Sequence, residues 1–428
     1  MEKKDITLKS SSEREQNQLA GSAEHEKIKG SQNLNMPNLR FPEFSGEWET
    51  KRLDECASFL DEQRKPIKST ERSSEFKLYP YYGASGVIDY IDDYIFDEDL
   101  ILLSEDGANI LDRNYRVAFI VTGKTWVNNH AHVLRPVNDV DISYLSEYLE
   151  SLRYEKYNTG STMPKLNQEV CRGIRVWTPK YEEQKKIGRL LSAINERIET
   201  QKKIIEDLKK LKDAIAEKLF CGPDDDYPEL RIIDSSEKWK LYRLKDVCQR
   251  ITERNSQGSS SLVLTIAAQH GLVSQTDFFN KSVASENLSN YFLIHKGDFA
   301  YNKSYSGEYA WGAVKRLNLY EEGLLSPLYI CFRPDPTVVN SDFLSHYFES
   351  HKWHNGIAQI AGEGARNHGL LNVSISDYFA TLYRFPGLPE QEMIANYLNL
   401  LSDKISLASN ELECYIRQKK YLLTRMFI

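Results

Sequence analysis

Several things are missing from this chain, and each absence narrows its function. No apolar run approaches the roughly 20 residues a membrane-spanning helix needs, so no membrane partner is expected. The N-terminus lacks a basic-then-apolar signal pattern, so secretion is not expected either. The six cysteines, Cys56, Cys171, Cys221, Cys248, Cys331 and Cys414, never stand two residues apart, and zinc-site spacing is absent. Isolated cysteines of this kind fit reduced thiols in a cytoplasm. Residues 1–35 contain no aromatic side chain and almost nothing to bury, which predicts a disordered extension. Met36 opens a segment of different composition and is an alternative start. Catalytic loops are missing too: there is no glycine-rich nucleotide loop, no Asn/Asp-Pro-Pro-aromatic motif of amino-methylation and no G-x-S-x-G elbow. Cationic excess is also lacking. A net charge of −7 lowers the expectation of nucleic-acid binding without excluding it, because groove reading needs only a local positive face.

What is present is an ordinary globular composition, 41% hydrophobic and 27% charged, in 428 residues, enough for two or three domains. The chain also carries an internal repeat. Residues 183–220 align without a gap on residues 390–427, pairing Gln184 with Gln391 and Phe220 with Phe427, and Pro179 and Pro386 precede them at the same offset. A shorter echo links residues 39–53 to 230–244, placing Trp48 on Trp239 and Arg52-Leu53 on Arg243-Leu244. Between these markers the two halves differ almost completely.

Both repeated stretches have a helical apolar stripe sustained over about five heptads. In the first, Ile187, Ile194, Leu208 and Ile215 recur at sevens, Leu190, Ile204 and Leu211 interleave, and Leu191, Ile198 and Ile205 widen the face. In the second, Ile394, Leu401, Tyr415 and Leu422 hold the matching places, flanked by Leu398, Ile405 and Leu412. Each helix would run roughly 55 Å. A helix of this kind could pack only on its own domain, but a gapless copy argues that the two pair with each other. The segments between them contain strand-like runs at Tyr94–Ser104, Tyr115–Val121, Leu262–Ile266 and Leu328–Phe332, with short helices at Ile142–Leu152 and Ser341–Lys352. The expected fold class is α+β: two mixed domains, 36–180 and 222–387, each followed by a long helix, 181–221 and 388–428.

Chemistry-bearing motifs are weak. Gly123-Lys124-Thr125 ends like a P-loop, but Ala118 stands where the first glycine is required. His130 and His132 alternate as ligands on a strand would, yet no third ligand lies near them in sequence. His351 and His354 lack partners in the same way, so hydrogen-bonding histidines and no metal are expected. Glu105-Asp106 and the acidic run 89–99 read as solvated loops. Three loops do combine amides, cations and aromatics as base-reading surfaces do: Asn128-Asn129-His130, Tyr301-Asn302-Lys303-Ser304-Tyr305 and Arg366-Asn367-His368. The competing reading is that they are polar strand ends.

From about Met36 onward the chain resembles the specificity subunits of Type I restriction–modification systems. The resemblance rests on the E-Q-x-x-I openings at 183–187 and 390–394, each following a proline. It rests also on ordered segments at 82–86, 104–109, 126–132, 159–160 and 164–167 in the first half, and at 297–299, 301–304 and 364–372 in the second. It implies two target-recognition domains, each reading half of a split, asymmetric site in double-stranded DNA, and long helices pairing as an antiparallel coiled coil that sets the spacing. The DNA-contact residues it favours are Asn128, Asn129, His130, Lys165, Asn302, Lys303, Tyr305, Arg366, Asn367 and His368. Helix pairing would fall to Ile187, Leu191, Ile194, Ile198 and Leu208 against Ile394, Leu398, Leu401, Ile405 and Leu412. The implied partners are two modification subunits and the restriction subunits. S-adenosylmethionine, ATP and Mg would belong to those partners, with no catalytic residue and no cofactor in this chain. The rivals are a self-contained DNA-modifying enzyme, and a duplicated coiled-coil adaptor or decoy without DNA specificity.

Overall fold

A computed structural model describes residues 35–72, 77–267, 271–279, 287–305, 309–361 and 369–428. The expected N-terminal extension, apart from Asn35, and the Arg366–His368 loop lie outside these residues. The chain divides into two units: residues 1–198 with 414–428, and residues 199–413.

The first unit is organised around a sheet whose central strand, Leu100–Ser104, is buried along its whole length. It pairs antiparallel with Ala118–Val121 on one side and Ala131–Pro136 on the other, and Ala57–Phe59 completes the order beyond the latter. The run LILLS reads as continuous apolar because both faces are covered. On one face lies the helix Ile142–Ser151, whose first turn is capped by Asp141, the side chain accepting from the Tyr144 amide at 2.9 Å. A second sheet runs Gly86–Ile91, Tyr79–Gly83, Lys124–Val127, Phe96–Asp97. Entry and exit are joined by Glu49–Arg52 pairing antiparallel with Arg175–Thr178. The expected single strand at 94–104 is two, Phe96–Asp97 and Leu100–Ser104, which pair with different neighbours.

The second unit repeats this layout with different residues. Phe299–Asn302 pairs antiparallel with Ala313–Arg316 and Ile330–Pro334, and Cys248–Arg250 lies beyond the latter. The covering helix Ser341–Glu349 is capped by Asn340, which accepts from the Phe343 amide at 2.9 Å. Lys240–Arg243 pairs with Leu382–Phe385 as entry and exit. In place of the first unit's second sheet stand two strand pairs, Leu264–Ala267 with Gly271–Ser274 and Phe292–His295 with Glu322–Leu325.

The repeated stretches are the helices Tyr181–Leu219 and Leu388–Met426. The first has two carboxylates in its first turn and the second has one, and each has a cation in its last turn, the favourable sense for the helix dipole. Ile187 and Leu191 enter the first unit's core beside Trp48, and that core also takes Met426 and Phe427 from the end of the other helix. Gly188 lets the covering helix approach: a Cβ there would stand 2.7 Å from the Asp141 carboxylate and 2.9 Å from the Tyr144 amide nitrogen. In the second unit Ile394, Ala395 and Leu398 join the core with Ala216, Leu219 and Phe220, and Leu401 packs against it. The helices therefore do both things the repeat suggested, packing on a domain and meeting one another.

Within the second unit Gln201 donates to the Ala408 carbonyl at 3.0 Å and to Glu411 at 3.2 Å, while Ala216 shares a core with Leu398. The two segments thus run antiparallel. The buried seam on the first helix is Ile187, Leu191, Ile194, Ile198, Gln201 and Ile205, with Leu208 half-buried. Ile405 and Leu412 are half-buried on the other helix. Ile204 and Leu211, expected in the stripe, are exposed. The seam shifts by one position there because it follows the 3–4 alternation through the polar Gln201, which an apolar count skips.

Candidate nucleic-acid interface

In the first unit three segments far apart in sequence meet at the C-terminal end of the central strand. Leu166 donates its amide to the Glu105 carbonyl at 2.7 Å, Gly107 donates to Pro164 at 3.0 Å, and Glu105 donates to the His130 carbonyl at 2.9 Å. These backbone bonds bring Asn129, His130 and Lys165 to one side of the domain, all three exposed. Asn128 is not a free reader. It is buried, and its side-chain oxygen accepts from the His130 amide at 2.8 Å, which shapes the turn that presents its neighbours.

The side chains below are tightly cross-tied. The Arg64 guanidinium donates to Glu105 and to the Ala131 carbonyl, both at 2.7 Å, and Lys165 lies 3.5 Å from the other Glu105 oxygen. His130 Nδ1 is 2.9 Å from the Asp106 carboxylate. Glu105-Asp106 is therefore not the solvated loop its sequence suggests, since Arg64 and Lys165 hold Glu105 and His130 holds Asp106. His132 is buried, with Nδ1 2.6 Å from Asp61 and Nε2 2.8 Å from the Leu166 carbonyl. Asp61 also accepts from the Val133 amide at 2.9 Å and from Gln168 at 2.7 Å. Burial by itself would lower the His132 pKa, but the hydrogen bond to Asp61, the Cys171 sulfur and the Asp61 charge outweigh it and push it up to about 10. Burial likewise acts to raise the Asp61 pKa and is overcome by His132, leaving it lowered.

Asp61, Glu105 and His132 bring ligand-type atoms within 4.8 Å of one another. His132 thus has acidic neighbours in space that sequence proximity does not reveal, as Asp61 lies in a separate strand connection. Both imidazole nitrogens are already engaged, and Arg64 neutralises both carboxylates, as an ion-pair network does and a cation site does not. Of the other histidines singled out, His351 Nδ1 is 2.8 Å from Glu217.

The second unit builds the same frame. Leu371 donates to the Lys303 carbonyl at 2.9 Å and Tyr305 donates to Gly369 at 3.1 Å. A bridge joins Ser304 to Leu370 as one joins Asp106 to Lys165. Lys303 thus stands where the first unit has Glu105, and Leu370 where it has Lys165. Asn302 and Lys303 are half-buried at the strand end. Tyr305 packs against the core, and Tyr301 lies wholly within it, stacked on Tyr378 at 4.6 Å. Sequence reasoning missed Asp61 and Arg64 and read Glu105 as solvated, because no local pattern marks residues that act through distant partners.

Two domains with one frame and different residues on it define a duplicated recognition protein. Residues 45–210 match the family described as Type I restriction modification DNA specificity domain. A putative Type I restriction enzyme specificity subunit from Haemophilus influenzae is 25% identical over 374 residues, covering 86% of this chain and 89% of that one. The MjaVIII specificity subunit of Methanocaldococcus jannaschii is 25% identical over 229 residues, covering 50% of this chain and 51% of its own. Among solved structures, the S subunit of a Type I restriction–modification system from M. genitalium shares the fold. It has a TM-score of 0.59 at 14% identity, covering 92% of this chain and 99% of that one. Residues 45–210 thus match a Type I restriction modification DNA specificity domain, and most of the chain is similar to a Type I restriction enzyme specificity subunit.

Proposed function

We propose that this protein selects the DNA sequence on which a Type I restriction–modification complex acts. Each unit reads one half of a split, asymmetric double-stranded site, and the long helices set the spacing and dock two modification subunits and, through the complex, the restriction subunits. The observation that carries this reading is the repeated frame with exchanged chemistry. Glu105 and Lys165 in one unit are answered by Lys303 and Leu370 in the other. A shared central sheet and loop frame that differs in the residues at its strand ends suits two dissimilar half-sites, because base edges differ in their donor and acceptor pattern.

The docking role draws on the second long helix. Met393, Tyr397, Leu400 and Leu407 form an exposed stripe at helical spacing on that helix, away from the buried Ile394 and Leu398. In this reading the chain contributes recognition rather than catalysis and works in the cytoplasm. S-adenosylmethionine serves the modification subunits, and ATP with Mg serves the restriction subunits. No described helix is long and apolar enough to cross a membrane.

Co-expression with the modification subunits, followed by mapping of methylated adenines, tests the proposal. A bipartite motif lost on deletion of this chain is expected. Co-purification with no methylated motif would instead select the adaptor reading.

A further inference from the structure

The ion pair under the first unit's exposed loops is not required by the fold. The frame bonds equate Glu105 with Lys303. Two further bonds equate Val133 with Cys331: Leu60 donates to the Val133 carbonyl at 2.8 Å, and Ile251 to the Cys331 carbonyl at 2.9 Å. Strand register then fixes the neighbours. His132 lies opposite Leu103 in the first unit, and Ile330 lies opposite Tyr301 in the second. Counting from the same bonds, Thr252 occupies the place of Asp61. The second unit's loop is two residues longer, so Ile375, first in the helix after its cap Ser374, holds the place of Gln168 after its cap Asn167. The second unit closes the same sheet with Ile330 buried at 4% exposure, and packs Val373, at 3%, in the longer loop before its helix.

A buried charge pair is costly to desolvate, and apolar residues of similar size usually serve stability as well or better. The first unit nevertheless keeps one, and its bonds run to the segments that carry the exposed residues. His132 sits on the strand that follows Asn129 and His130. Its Nε2 holds the carbonyl of Leu166, next to Lys165, and Asp61 holds both His132 and Gln168 beyond it.

We infer that Asp61 and His132 are positioning residues for DNA recognition by the first unit. They lock the Lys165 segment to the Asn129–His130 turn, so that three side chains from two segments meet the DNA as one rigid surface. Hydrogen bonds to charged groups are directional and about twice as strong as neutral ones, so they hold a loop where apolar packing would let it slide. In the second unit a cation, Lys303, stands at the strand end, and Leu370 holds the place of Lys165. This inference rests on the proposed reading of the chain as a DNA-specificity subunit.

The test transplants the second unit's residues into the first: Asp61→Thr, His132→Ile and Gln168→Ile together, in the full chain bound to its modification subunits. Binding is measured on duplexes carrying the mapped methylation site, and on duplexes with either half-site scrambled. The melting temperature is expected to stay the same or rise. Discrimination at the half-site read by the first unit should fall by about tenfold or more, the range of one good base contact, with the other half-site unaffected. Adding Lys165→Ala to the triple variant should then cost little, although alone it weakens binding. A triple variant that does not fold overturns the inference, since the pair would then be a stability element. So does a folded variant with unchanged discrimination, or one with equal loss at both half-sites. A wild-type complex without a bipartite site would remove the functional reading itself, whereas a specific wild-type complex with an unaffected variant removes only the positioning role.

Discussion

Gln184 and Gln391 make the same three hydrogen bonds. Gln184 accepts from the Asp141 amide at 3.0 Å and donates to the carbonyls of Pro179 at 2.9 Å and Asp139 at 3.3 Å. Gln391 accepts from Asn340 at 2.8 Å and donates to Pro386 at 2.9 Å and Val338 at 3.1 Å. Each fastens the start of a long helix to the start of its domain's covering helix. The neighbouring Glu183 and Glu390 are equally matched, each buried and held by one arginine, Arg40 or Arg231, at 2.7 Å. The repeated Glu-Gln pair is therefore a structural clamp between helix and domain.

Replacing either glutamine with alanine should leave a buried amide and two carbonyls unpaired, at a cost of about 1–3 kcal/mol for each unsatisfied group. Urea unfolding of Gln184→Ala and Gln391→Ala should show losses of similar size. A loss under about 0.5 kcal/mol, the scale of a neutral surface change, would contradict the clamp.

The far end of each helix closes a core. Phe427 stands edge-on to Tyr144 and Tyr148 at 5.5 and 5.3 Å, and Phe220 stands edge-on to Phe343 and Tyr347, both at 5.3 Å. Phe427→Ala and Phe220→Ala should each destabilise by about 3–5 kcal/mol, the usual cost of emptying a buried aromatic site. Thermal denaturation checks this, with the exposed Tyr421→Ala as a control expected to change little.

This clamp-and-plug architecture was legible at its ends and hidden in between. The repeated Gln184/Gln391 and Phe220/Phe427 mark the helices because a helix records its partner face within a few turns of sequence. The common sheet was not legible. Leu100–Ser104 and Phe299–Asn302 share a topology without sharing residues, and strand pairing joins segments about thirty positions apart that leave no local signature. Asp61 and His132 were invisible for the same reason, as was the engagement of Glu105.

The raised His132 pKa makes stability depend on pH. Its folded value, about 10, lies above the ordinary 6.5, so the protonated imidazolium binds its proton more tightly when folded. The stabilisation it provides is fully present below about pH 6.5 and is lost as pH rises through about 10. Unfolding free energies measured between pH 6 and 10 should fall across that window in the wild type. His132→Gln should flatten the slope, and an unaltered slope would show that another group titrates there.

Lys165 and Lys303 should act on different halves of the site. If each contacts a phosphate, Lys165→Ala and Lys303→Ala should each reduce the salt dependence of DNA binding by about 0.9 in the log–log slope. Hydroxyl-radical footprints at low salt should weaken over one half-site in each variant. Equal weakening over both would break the assignment of one unit to one half-site.

Removing one heptad from each long helix tests the spacing role most directly. Residues 202–208 and 401–407 lie opposite one another, on the same side of the Gln201–Ala408 contact. Deleting both segments keeps the seam in phase, because seven residues return the helix to within about 20° of its starting face. The rise lost is about 10 Å, or roughly three base pairs of B-DNA at about 34 Å per ten-pair turn. Methylome mapping of the shortened chain should recover both half-sites unchanged with about three fewer base pairs between them. A motif with its original spacing would mean that the helices do not set the distance. Loss of methylation despite a folded, assembled complex would mean that the modification subunits require the native helix length.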